Sequence, residues 1–314
     1  MSVASRRAVS AVAHRPTVTV GVALPFFDHQ MDYEDIVRFA TTAESSGFDG
    51  IWLVDHLVAG PTQQFGQIWY DGPTLLAGLA QLVPRVTLGT DVLIVPYRHP
   101  VVAAKVLATL DVVSGGRLVV GVGCGYLESE FETLGANYRD RGAVTDEYLQ
   151  VWRSVWTEGP AEFAGDYVSL AEAEMGPRPV QHPHPPILVG GNSAPALRRA
   201  ARYGDGWHPL GLSPYDYGRA AARLQTLTDQ MGRPQPTLSY SGNMGAISAK
   251  PVESPDRPRL SGSVDQILDD VGQLRDQGVV NFVFRPGGAD FTVDEVLDQV
   301  RTIGAEVVPR VAQR

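Results

Sequence analysis

Short β-branched runs alternate with helical stretches along nearly the whole chain, and this alternation limits the possible folds more than any other feature of the sequence. Residues 18–24 (VTVGVAL) end at Pro25, and residues 33–46 carry Ile36, Val37, Phe39, Ala40 and Ala43 at helical spacing. Gly47 closes that helix, and residues 49–54 (DGIWLV) form a second apolar run. A helix over 73–82, a strand over 86–95 (VTLGTDVLIV) and a helix over 101–113 follow. Residues 117–121 (RLVVG) read as a fourth strand, after which helical stretches near 128–134 and 146–157 fill a long insertion. Four further pairs complete the series: strand 187–189 with helix 194–203, the minimal strand 206–208 with helix 215–231, strand-like 237–248 with helix 264–277, and strand 281–284 with helix 291–308.

Near-continuous apolar strands between amphipathic helices indicate a parallel sheet buried on both faces. Eight such units favour an α/β architecture closed into a single (β/α)8 barrel with insertion segments over an open doubly wound sheet. No internal repeat and no low-complexity linker divides the chain, so residues 17–310 are expected to form one barrel domain behind a disordered extension over 1–16.

Charge and cysteine usage narrow the function classes. A net charge of -9 over 314 residues argues against nucleic acid and anionic membrane as partners. No run reaches the ~18 apolar residues of a membrane span, and the double arginine Arg6 and Arg7 is followed by no apolar stretch long enough for export. The single cysteine, Cys124, excludes an intrachain disulfide framework and a multi-cysteine metal site, which suits a reducing cytoplasm. The expected partner is a small-molecule substrate, with a homodimer left open.

In a (β/α)8 barrel the chemistry gathers where the strands end. Four places qualify: Asp55 and His56 after the second strand, Gly89 to Asp91 within the third, Gly123 to Tyr126 after the fourth, and Gly190 to Ser193 after the fifth. His56 is a candidate acid/base, because imidazole titrates near neutral pH. Neighbouring side chains on an extended strand point apart, so Asp55 need not bond it, and a histidine used only for packing is the alternative. Gly190, Gly191, Asn192 and Ser193 run directly into a helix, where free backbone N–H groups make an anion cradle and Arg198 or Arg199 is within reach. The same residues also read as a glycine turn capped by Asn192 or Ser193 with both arginines solvated, and spacing alone does not separate the two.

Gly121, Gly123 and Gly125 superficially match a dinucleotide loop, but the run lacks its G-x-x-G tail and a ribose-binding acid about 20 residues later. These glycines instead suit close approach of the backbone to a planar ring, with Cys124 a small residue without a redox task. His182 and His184 have no third ligand nearby and read as loop packing, so no metal site is expected. His99, before Pro100, is expected to begin a helix. The loops at 60–70, with Phe65, Trp69 and Tyr70, and at 248–261 carry no diagnostic chemistry; their aromatic residues suit a pocket lining or packing against the barrel or a second subunit.

The segments VTVGVALPF, FDGIWLVDHL, VTLGTDVLIVPYRHPVVAAKVLATLDVVSGGRLVVGVGCGYLESEFETLG, PRPVQHPHPPILVGGNSAPALRRAARYGDGWHPL and GVVNFVFRP occur in one order across about residues 17–304. That order resembles the luciferase-like monooxygenase superfamily, specifically its coenzyme F420-dependent oxidoreductase branch. The resemblance implies a TIM barrel with an insertion and a cofactor across its C-terminal mouth. It also implies that His56 lies beside the reactive ring and that Asp91 and Val92 form a bulge joined by a non-prolyl cis peptide under the ring. Cys124, Gly125 and Tyr126 are then ring-contacting residues, Gly190, Gly191, Asn192 and Ser193 the phosphate loop, and Asp55 belongs to the cofactor-binding set. Sugar-phosphate-oxidising relatives carry a catalytic glutamate where this chain has Tyr126, so neither that substrate nor that acid carries over. The Trp52, Asp55 and His56 pattern favours hydride transfer with F420; the alternatives are an FMN-dependent monooxygenase that activates oxygen and a non-catalytic flavin-binding protein.

Overall fold

In the computed structural model, which describes residues 18–25, 31–58, 70–157, 159–288 and 291–312, strands and helices alternate as the apolar periodicity predicts. Eight strands form the barrel: β1 (Thr19–Ala23), β2 (Gly50–Leu53), β3 (Thr87–Thr90), β5 (Leu118–Gly123), β8 (Ile187–Gly190), β9 (Gly206–His208), β10 (Thr237–Ser241) and β11 (Asn281–Phe284). Each pairs in parallel with the next, and β11 pairs with β1, so the ring has no open edge. A two-residue stub, β4 (Leu93–Ile94), continues the third strand against β5. The hairpin β6 (Ala161–Ala164) and β7 (Ser169–Ala173) stands apart from the ring.

The helices that clothe the ring are α1 (Tyr33–Ser45), α2 (Gly72–Leu79), α3 (Pro100–Ser114), α6 (Ala194–Tyr203), α7 (Pro214–Gln230), α8 (Val264–Asp276), α9 (Val293–Glu306) and the short α10 (Val308–Ala312). Two more, α4 (Glu128–Leu134) and α5 (Arg141–Trp156), belong to the excursion between β5 and β8. Local sequence explains where they start. Asp32, Asp71, Ser193 and Ser213 accept backbone N–H groups in the first turns of α1, α2, α6 and α7, while Ser263 with Gln266 and Thr292 with Glu295 form capping boxes on α8 and α9. His99 is the N-cap of α3, as its place before Pro100 predicts.

The main core lies between strands and helices; α1, for example, buries Ile36, Phe39, Ala40 and Ala43. A separate cluster of Ala23, Trp52, Leu188 and Val283 joins β1, β2, β8 and β11, strands from different sides of the ring, and so fills the bore. Trp52 dominates it. Cβ atoms built on Gly21 and Gly89 would fall 2.3 and 2.2 Å from its indole, so those two strands leave out side chains where the ring lies.

Three boundaries differ from expectation by more than three residues. The strand expected over 86–95 breaks after Thr90; Asp91 and Val92 are joined by a cis peptide, and only Leu93–Ile94 resumes pairing. The second excursion helix begins at Arg141 instead of 146. The strand expected over 237–248 ends at Ser241, beyond which only isolated bridges such as Gly245 with Pro286 remain. Among the described residues no helix is long and apolar enough to cross a membrane. The extension over 1–16 and most of the 60–70 loop, with Phe65 and Trp69, lie outside the described residues.

Candidate active site

A cavity of about 680 Å³ opens at the C-terminal ends of the strands, within the size range that holds a cofactor-sized ligand. It is lined from β2 by Val54, Asp55 and His56, from the third strand by Asp91, Val92 and Ile94, and from the end of β5 by Gly123 through Tyr126. Around the rest of the mouth come Gly190, Gly191 and Ser193 after β8, His208 and Leu210 from β9 onward, and Arg285 after β11. The excursion adds Arg139, Arg141 and Gly142.

At the β2 side, His56 Nδ1 lies 2.7 Å from Glu130 Oε2, and the carboxylate is 1% exposed. Glu130 also accepts Tyr97 Oη at 2.8 Å and the backbone N–H groups of Leu57 and Val58 at 2.9 and 3.2 Å. Burial works against its charge, but the bonds from His56 and Tyr97 outweigh it and hold the carboxyl below its ordinary value. Tyr126 stands edge-on to His56, with ring centroids 6.0 Å apart, and its hydroxyl is pushed up by burial and by the Glu130 charge. Asp55 turns away from His56: its two oxygens accept Arg98 Nη1 and Nη2 at 2.7 Å each and the Ile94 N–H at 2.9 Å.

On the cavity floor Asp91, 6% exposed, gathers a second network. Its Oδ1 lies 3.0 Å from His208 Nε2, and its Oδ2 accepts Arg285 Nη2 at 2.7 Å and Ser241 Oγ at 2.9 Å. Desolvation opposes ionisation, yet Arg285 and His208 hold the carboxyl at about 2. His208 Nδ1 meets Ser239 Oγ at 2.6 Å and its ring stacks on Trp52 at 5.2 Å, which ties the bore to the floor.

At the β8 side, Gly191 has φ +99°, a left-handed conformation that disfavours side chains, and Ser193 caps α6 by accepting the Ala196 N–H. Three arginines, Arg139, Arg141 and Arg199, are among the residues that line the cavity. Arg199 is paired with Asp146, Nε to Oδ1 at 2.5 Å, and donates to the Gly142 carbonyl. Arg141 lies over the Tyr138 ring at 4.0 Å and donates to the Tyr138 carbonyl. Neither Arg139 nor Arg141 has an acidic partner within ion-pair distance among the described residues. Since β2 and β8 are three strand steps apart, through β3 and β5, His56 and Arg199, which follows β8 on α6, face the cavity from different sides.

The structure thus gathers Asp55, His56, Asp91, Val92, Cys124, Gly125, Tyr126, Gly190, Gly191 and Ser193 around one cavity. Asn192 sits in the same loop but is exposed, and its Nδ2 donates to the Leu210 carbonyl. Of the two α6 arginines, Arg199 reaches the cavity wall, whereas Arg198 is exposed and is not among the lining residues. A Cβ on Gly125, at φ +79°, would strike Phe131 at 2.7 Å and Ile94 at 2.9 Å, which explains a glycine there. Sequence reasoning missed Glu130, Arg139, Arg141, His208 and Arg285. His208 and Arg285 carried a signal that went unused, each being a polar residue at a strand end. His184 packs in its loop with Nδ1 2.9 Å from the Pro185 carbonyl oxygen, and among the described residues no three His, Cys, Asp or Glu side chains are arranged to hold a metal ion.

The chain is similar to several known proteins. The chain is 32% identical over 182 residues to the F420-dependent glucose-6-phosphate dehydrogenase of Amycolatopsis mediterranei, covering 57% of this chain and 54% of that one. It is 28% identical over 204 residues to the FMNH2-dependent dimethylsulfone monooxygenase of Pseudomonas putida, covering 63% and 55%. In structure it is similar to the monooxygenase RslO1 from Streptomyces bottropensis, with a TM-score of 0.79 at 22% identity over 93% of this chain and 99% of that one. The luciferase-like monooxygenase family model matches residues 10–279, and the chain belongs to that family of oxidoreductases.

Proposed function

We propose that the protein is an F420-dependent oxidoreductase that moves a hydride to or from a small organic substrate at the barrel mouth, with His56 exchanging the accompanying proton. The observation that carries this reading is one cavity lined by an imidazole and by three arginines, in a chain whose net charge is -9. When bound, a deazaflavin supplies hydride chemistry with little oxygen reactivity. Val54, Val92, Ile94 and Leu210 offer apolar walls for its ring, and Gly190, Gly191 and the start of α6 offer backbone donors for its phosphate. Asp146 already neutralises Arg199, so Arg139 and Arg141 are the cations available for the carboxylates that follow the phosphate in F420 and that FMN lacks.

FMN is the second reading, favoured by the same glycine loop, which fits a lone phosphate equally well, and by the likeness to an FMNH2-dependent relative. The glutamate that serves sugar-phosphate oxidation is replaced here by Tyr126, so the substrate is assigned only as a small molecule.

Fluorescence and absorbance titrations with purified F420 and FMN test the assignment. F420 is expected to bind at least about tenfold more tightly, a difference of about 1.4 kcal/mol. The reverse order would overturn it in favour of an oxygen-using monooxygenase. His56→Ala should leave F420 affinity within a few-fold and slow single-turnover hydride transfer by about 10² to 10⁴-fold, the range for losing a positioned acid or base. Parent-like rates across pH would reduce His56 to a packing residue.

A further inference from the structure

Helix α4 points one acid of its ESEFETL sequence inward: Glu128, Ser129 and Glu132 are exposed, whereas Glu130 is 1% exposed. Both of its oxygens are engaged, Oε2 by His56 Nδ1 and Tyr97 Oη and Oε1 by the amides of Leu57 and Val58. A carboxylate is expensive to bury without such partners, so its placement asks for a role. Asp55, the acid next to His56 in sequence, is committed to Arg98 and leaves that role open.

We propose that Glu130 is the positioning residue of His56: it keeps Nδ1 protonated, fixes the ring so that Nε2 is the nitrogen that exchanges a proton with a molecule in the cavity, and steadies the imidazolium as it forms. An ionised carboxylate can only accept, so a hydrogen bond to it puts the proton of a neutral imidazole on Nδ1. The inference rests on reading His56 as the acid/base. Besides Glu130, the titratable groups around the ring among the described residues are Tyr126, Tyr97 through the shared carboxylate, and Asp55, already balanced by Arg98. Burial keeps both tyrosines neutral near pH 7, so Glu130 is the net charge that His56 meets among the described residues.

A purely structural role is the competing explanation, since Glu130 also pins the chain after β2. Glu130→Gln separates the two, because its amide oxygen can still accept the Leu57 and Val58 N–H groups while the charge is removed. With 15N-labelled histidine and the His56 signals assigned by their loss in His56→Ala, the parent should show Nδ1 protonated in the neutral ring. In Glu130→Gln, whose amide can turn a donor towards Nδ1, the neutral ring should carry its proton on Nε2 instead, and single-turnover hydride transfer should fall by about 10 to 100-fold with F420 affinity unchanged. In the His56→Ala background the same change should cost nothing further, because the residue acts through the imidazole. An Nε2-protonated parent, or a folded Glu130→Gln with Nδ1 still protonated and parent-like hydride transfer, overturns the inference while leaving His56 as acid/base. Parent-like turnover in His56→Ala overturns that reading and this one with it. The tautomer measurement needs no variant of Glu130, so the inference stays open to refutation if Glu130→Gln fails to fold.

Discussion

Replacing Asp91 with asparagine tests the charge network under the cavity. The carboxyl is held at about 2 because Arg285 and His208 overcome its desolvation, whereas the same group in an unfolded chain titrates near 3.8. At about 1.4 kcal/mol per pH unit, that gap of somewhat under two units is worth about 2 kcal/mol of folding stability. The sign follows from the depressed value: the contribution is complete above pH 3.8 and is lost as pH falls towards 2. Asparagine keeps the shape but leaves Arg285, whose side chain is 14% exposed, without its counter-charge, which adds to the loss. Urea unfolding of parent and Asp91→Asn should therefore differ by about 2 to 4 kcal/mol at every pH from about 5 to 8, and the gap should narrow below about pH 4. A difference under about 0.5 kcal/mol at pH 7 would refute the reasoning, since that is the scatter of an unimportant surface change. So would a gap that already closes between pH 7 and 5, because the group would then titrate near neutrality.

Gly89→Ala should place a methyl group 2.2 to 2.6 Å from three atoms of the Trp52 indole and destabilise the fold by about 1 to 3 kcal/mol, as overpacking does; thermal unfolding reads the loss, and combination with Trp52→Phe should recover part of it. Gly191→Val forces a branched residue to φ +99° with its Cβ 3.2 Å from that of Ala196, and F420 affinity measured by fluorescence should fall at least about tenfold. A folded valine variant that binds F420 like the parent would show that no close backbone approach takes place there.

The barrel was legible because each βα unit carries its own period: the VTVGVAL run and the Ile36, Phe39 and Ala40 stripe need only their neighbours to be recognised. Positions at strand ends were legible for the same reason, and they placed His56, Asp91 and Gly191 around one mouth. What the sequence hides is who meets whom. Glu130 lies 74 residues from His56, and Arg285 lies 194 from Asp91, so no local pattern marks either pair. Glu130 looks in sequence like the other acids of a polar helix, and its burial exists only once α4 docks. The hairpin of β6 and β7 escaped because its strands are half-exposed, without the continuous apolar run of the barrel strands or a clean alternation. Arg139 and Arg141 precede the stretch whose periodicity announces α5 and so read as ordinary surface cations.

The excursion that leaves the ring after Gly123 and returns at Ile187 supplies Tyr126 and Glu130 beside His56 and also Arg139 and Arg141 in the cavity lining. One stretch of chain therefore brings to the cavity both an acid and cations that are unpaired among the described residues, while the strands provide its floor. If Glu130 positions His56 and Arg139 and Arg141 meet an anion, a chimera joined at those two points with a relative's excursion would alter both properties at once, while His56 and the glycine loop stay with the ring.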